Sequence, residues 1–105
     1  PDDEKALCNC AVGHLLSEQL DDARIYAEKV LAKNSANGQA YSIIVRVNGN
    51  RDTLENLIAS VPEPYRKLPD VAFAFSQIAL EKNELSIARK WLEIASENKT
   101  HWQPP

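Results

Sequence analysis

Apolar side chains return along the chain at steps of three and four: Leu7, Cys10, Ala11 and Leu15, then Leu20, Ala23, Ala27, Val30 and Leu31. This spacing gathers them on one face of an α-helix. The runs are interrupted at 17–20, 34–38, 48–50, 62–69 and 82–84, where polar residues, glycine and proline cluster, and such clusters end helices. The pattern predicts six helices near 4–17, 20–33, 39–48, 52–60, 69–82 and 85–97, paired as hairpins through very short turns. Asp52, followed three residues later by Glu55, resembles a capping box, and Pro69 suits the first turn of the fifth helix.

One stretch is ambiguous. Ile43, Ile44, Val45 and Val47 are β-branched, and the Asn48-Gly49 pair that follows is a common hairpin turn, so a strand over 42–47 is the rival reading. A helix is preferred because no second strand pattern follows Gly49, and a lone strand would leave its backbone groups unpaired.

The helical reading is strengthened by an internal repeat. Residues 15–28 match residues 80–93 at an offset of 65: Leu15 with Leu80, Leu20 with Leu85, Ala23 with Ala88, Arg24 with Arg89 and Glu28 with Glu93, while Tyr26 is answered by Trp91. Sixty-five is close to twice the 34-residue period of one helical repeat family, with three residues missing from a middle copy. Each copy resembles a tetratricopeptide repeat. Residues 4–37 offer Leu7, Cys10-Ala11 and His14, then Ala23, Ala27 and Ser35; residues 69–102 offer Ala72, Phe75-Ser76 and Ala79, then Ala88, Leu92 and Thr100. In the middle copy, 38–68, Tyr41, Ile44-Val45 and Asn48 fit, but Leu54 and Ile58 stand three positions early. The small residues Ala11, Ala23, Ser76 and Ala88 fall where the repeat needs close helix contact. The resemblance implies an all-α fold of tandem antiparallel hairpins, about three repeats in a single domain over 1–105, coiled as a short right-handed α-solenoid.

Composition narrows function by exclusion. Charged residues make up 26% of the 105, the net charge is −3, and the lysines and arginines form no stripe, so nucleic acid is not an expected partner. The longest apolar runs, such as 71–75, are far too short to span a membrane, and no membrane contact by this segment is expected. Pro1 and the absence of methionine point to a segment cut from a longer chain. Cys8 and Cys10 lie two residues apart on a predicted helix, about 200° around it, so a disulfide between them is implausible. Two buried thiols packing as small apolar groups are expected there rather than a metal site, since His14 is the only nearby extra ligand.

No phosphate loop, His-Glu-x-x-His run or Gly-x-Ser-x-Gly elbow occurs, so neither an enzyme nor a cofactor is expected. His14 reads as a packing residue, and His101 has no nearby nucleophile in sequence. Asp21-Asp22 and Asp2-Asp3-Glu4 sit where helices begin, where negative charge favours the helix dipole.

In tetratricopeptide arrays the first helices line a concave groove, which the resemblance places at Lys5, Cys8, Val12, Ser42, Ile43, Arg46, Phe73 and Gln77. The clamp that chaperone-binding members use for a terminal carboxylate maps to Cys8, Val12, Ile43, Asp70 and Ala74, none of which can perform that role. The implied function is capture of a protein or peptide on a mainly apolar face. Two alternatives stand beside it: a spacer that positions another domain of a larger protein, and Val12, Ile43 and Phe73 simply completing the core. Phe73 and Phe75 lie about 200° apart on a helix, so only one can face inward, and the repeat pattern assigns that place to Phe75. Trp102, after the third copy, is expected to cover the last hairpin or to mark a further repeat. Without clear polar capping helices, self-association through the ends is a further expectation.

Overall fold

The computed structural model describes residues 3–100, and among them forms six α-helices and no strand. They are α1 (Glu4–Leu16), α2 (Leu20–Lys33), α3 (Gly38–Asn48), α4 (Leu54–Ser60), α5 (Pro69–Glu81) and α6 (Leu85–Thr100), with a 3₁₀ turn at Glu63–Tyr65 between α4 and α5. The β-branched stretch in α3 is helical throughout: tertiary burial of Ile43, Val45 and Val47 overrides a weak local preference. Among the described residues no helix is long and apolar enough to cross a membrane.

The two outer hairpins repeat one another bond for bond. After α1, Glu18 takes a left-handed backbone at φ 60°, and after α5 Asn83 takes φ 65°. Gln19 N–H donates to His14 C=O and Glu18 N–H to Leu15 C=O; 65 residues later Glu84 donates to Ala79 and Asn83 to Leu80. Each is a Schellman closure, in which one left-handed residue lets two otherwise orphaned carbonyls find donors and reverses the chain in three residues. Ala11, Ala23, Ser76 and Ala88 are all buried, so α1 meets α2 and α5 meets α6 closely.

The middle of the chain departs from the expected hairpin. α3 packs against α2 and α5, and more lightly against α1, while α4 packs against α5; α3 and α4 are not a close pair. With only seven residues, α4 is too short to run along α3. Leu54, Leu57 and Val61 instead join Val45, Phe75 and Trp91 in a C-terminal core. The cap of α4 is also shifted: Thr53, not Asp52, is the N-cap, its Oγ1 accepting from Asn56 N–H at 3.1 Å. Asp52 accepts from the Asn56 side chain, and no capping box with Glu55 forms because Glu55 lies in the first turn after Thr53. Pro69 does open α5.

Gly49 adopts a right-handed φ of −56°, so its role is not a hairpin turn. A Cβ there would lie 2.5 Å from Ile78 Cδ1. The missing side chain is what lets the end of α3 approach α5.

α3 is shared by two cores. Ala40, Ile43 and Val47 pack with Leu7, Cys8, Ala11, Ala23, Ala27 and Val30 in the N-terminal core, while Val45 and Tyr41 turn to the C-terminal one. Phe75 is fully buried there and meets Trp91 edge-on at 4.9 Å.

Candidate functional site: a groove across three helices

Because α3 lies between α1 and α5, one side of each helix faces a common groove of about 300 Å³. Val12 and Leu16 of α1, Ser42, Ile43 and Arg46 of α3, and Phe73 of α5 line it. Five of the eight positions expected on the concave face therefore meet in one place. Phe73 is 42% exposed, opposite in sense to the buried Phe75, as their spacing on the helix requires.

The central cation is held rather than free. Arg46 Nη1 donates to Gln77 Oε1 at 3.2 Å, and the guanidinium carbon stands 5.9 Å from the centre of the Phe73 ring. The contact with the ring face is a cation–π interaction, and with the bond to Gln77 it sets the orientation of a planar donor group at the groove. Gln77 thus supports the site from α5. Ser42 and Ile43 contribute a floor, since both are buried, and the Ser42 hydroxyl is turned back to the Gln39 carbonyl.

Two expected positions lie elsewhere. Lys5 is exposed near the start of α1 and is not among the groove residues. Cys8 is 4% exposed in the N-terminal core, with its thiol 4.0 Å from Asn37 Oδ1. Burial, and secondarily the Glu4 carboxylate, raise the Cys8 thiol pKa above its ordinary value, while the Asn37 contact opposes this. Cys10 is exposed, which corrects the expectation of two buried thiols: with Cys8 turned inward, a neighbour about 200° around the helix faces out.

Other features escaped the sequence pattern. Leu16, 79% exposed, extends the apolar wall at the end of α1, and Asp70 stands at the groove's α5 side. The adjacent leucines before the turn at Ser17 were the available signal, as a single helix face cannot bury both. Where α2 hands over to α3, Glu4 accepts from the side chains of Asn34 and Asn37 at 3.0–3.2 Å, and Asn37 Oδ1 caps α3 by accepting from Ala40 N–H at 2.9 Å. Asn37 preceding Gly38 was the local sign of that cap.

His14 stacks on Tyr26 at 5.2 Å and shares a 2.6 Å hydrogen bond between Nδ1 and Gln19 Oε1, so it fills a packing position. Among the described residues no group of three or more His, Cys, Asp or Glu side chains is placed to hold a metal ion. His101 and Trp102 lie outside the described residues. Compared with family models, with curated proteins and with solved structures, the chain finds no match.

Proposed function

We propose that this chain is a tetratricopeptide-like interaction module that captures a protein segment on the groove formed by α1, α3 and α5. The observation that carries the reading is the pairing of exposed Phe73 with an Arg46 already oriented by Gln77, set between the apolar side chains of Val12 and Leu16. An exposed aromatic beside a fixed arginine is the kind of pair that concentrates binding energy at interfaces. Arg46 offers five N–H donors, and the bond to Gln77 uses one at Nη1. The partner that fits is an apolar helix or extended segment with a carboxylate or carbonyl positioned for that guanidinium. The repeat pattern at 4–37 and 69–102, with its matching left-handed turns, supports a short solenoid in which the three helices form the concave side.

The rival reading is a spacer that binds nothing in its groove. Selection of peptides from a random display library against the intact chain separates the two. Capture on the groove predicts peptides whose affinity falls about tenfold or more in Val12→Glu and in Arg46→Glu, with melting temperatures close to the parent's. A selection that yields no peptide sensitive to either change rejects the groove.

A further inference from the structure

The groove carries two opposite charges that stand apart along α5. Asp70, Phe73 and Gln77 follow one another at steps of three and four, so they share one face of that helix. At a rise of about 1.5 Å per residue, the stretch from Asp70 to Gln77 covers about 10 Å. The Arg46 guanidinium belongs to the Gln77 end: its Nη1 donates to Gln77 Oε1 at 3.2 Å, and its central carbon stands 5.9 Å from the centre of the Phe73 ring. Asp70, exposed in the first turn of α5, borders the same groove one helical turn before Phe73. Among the described residues no ion pair joins the two charges.

Beside this row, Val12 and Leu16 of α1 and Ile43 of α3 make the rest of the lining apolar. An anion, a ring and a cation thus succeed one another along an apolar wall. The arrangement sorts the segments that could cover it. A wholly apolar segment would take water from Asp70 and from Arg46 and return no partner to either, which is costly. A wholly acidic one would be drawn to Arg46 and repelled by Asp70. Only a segment with both signs of charge satisfies the two groups while its apolar part covers Phe73.

We propose that the partner captured in the groove is a peptide segment with a basic and an acidic side chain on either side of an apolar one, the base meeting Asp70 and the acid meeting Arg46. This rests on the reading of the groove as a capture site, and adds to it the charge order of what is captured. Arg46, held by Gln77 and by the Phe73 ring, presents its remaining donors to the carboxylate without first having to be ordered. Asp70 offers the acceptor for the cation at the other end of the row.

The test is a reciprocal exchange of charge. Peptides recovered from a random display library on the intact chain are synthesised with blocked termini, so that every charge is carried by a side chain, labelled with fluorescein and followed by anisotropy. The expected consensus holds a Lys or Arg and an Asp or Glu flanking an aliphatic or aromatic residue. In the chain variant Asp70→Lys affinity should fall about fivefold or more, and a peptide whose basic residue is replaced by Glu should regain it on that variant alone. Arg46→Glu should mirror this, with affinity regained by a peptide whose acidic residue is replaced by Lys. If Asp70→Lys alters the helical circular dichroism, Asp70→Asn repeats the first measurement, with a smaller fall expected. Peptides that lose affinity in Val12→Glu yet bind the Asp70 variants as well as the parent overturn the charge order and leave the groove reading standing. A selection that yields no peptide sensitive to Val12→Glu overturns both. Concentration-dependent dimers of the chain alone, abolished by Val12→Glu, would assign the groove to a second copy and likewise overturn the proposal.

Discussion

The two hairpins close with the same turn yet fill their interiors in opposite ways. Around α1 and α2 the core is built from Ala11, Ala23, Ala27 and Ala40 with Leu7, Cys8, Val30, Ile43 and Val47; no aromatic ring is fully buried there. Its aromatic pair, His14 on Tyr26, lies at the half-buried margin. Around α5 and α6 the centre is Phe75 against Trp91, packed by Leu54, Leu57, Val61 and Ile78. One half is held by close backbone approach and by polar bonds at its edge, from Glu4 to Asn34 and Asn37. The other is held by large apolar area removed from water. A single repeat framework therefore admits two kinds of interior, provided that the small residues at the helix crossings are kept.

The sharpest break between the halves is expected at the rings. Phe75→Ala removes a fully buried side chain and leaves a cavity beside Trp91, a change that costs about 3 to 5 kcal/mol in urea denaturation. Tyr26→Ala, at the half-buried counterpart of Trp91, should cost less than half of that; equal losses would remove the distinction. Next come the crossings. Ala23→Leu and Ala88→Leu each overpack a contact between helices and should lower stability by about 1 to 3 kcal/mol. An unchanged melting temperature for Ala88→Leu would mean that α5 and α6 do not meet as closely as α1 and α2.

The turns should respond in the other direction. Glu18 holds a left-handed backbone that costs a side-chain-bearing residue about 1 to 2 kcal/mol, so Glu18→Gly is expected to raise the melting temperature. Asn83→Gly, at the same φ, should gain less, because asparagine tolerates that region better. The smallest effect is chemical. Cys10 should react with iodoacetamide near pH 8 well before Cys8, whose thiol is buried and harder to ionise. A thiol whose folded pKa lies above the unfolded value of about 8.5 lowers stability from that pH upward, since the unfolded chain ionises first. Below the unfolded pKa this contribution is constant, and it levels off as the folded pKa is passed.

Most helix boundaries were legible because their causes are local. The breaks at Ser17, Asn34 and Lys82 and the proline at Pro69 act within a turn of the chain, and α2 and α5 begin where the pattern places them. The crossings were legible through Ala11, Ala23, Ser76 and Ala88, since a small residue at a repeated position signals close approach. What could not be read was set at a distance. Whether α4 leans on α3 or on α5 depends on the length of α4 and on the space left by Phe75 and Trp91. The function of Gly49 depends on Ile78, nearly thirty residues away. In the groove, Phe73 and Arg46 were identifiable from helix phase, whereas Cys8 is buried in the N-terminal core beside the Asn37 cap of α3, and Leu16 borders the groove as the last residue of α1.

α3 draws on both cores, and this has a consequence for how the protein is made. Its run of Ile43, Ile44, Val45 and Val47 is intrinsically suited to pairing with other extended chains, and it is protected in the finished fold by neighbours on two sides. During synthesis α1 and α2 emerge first and cover Ala40, Ile43 and Val47, but Tyr41 and Val45 have no cover until α5 follows. The nascent chain thus carries a half-wrapped, aggregation-prone segment for as long as residues 49–81 take to be made. Arg46, in the middle of that segment, places a charge where stacking of like chains would otherwise be easiest, so the residue that orients the groove also acts as a gatekeeper before the groove exists.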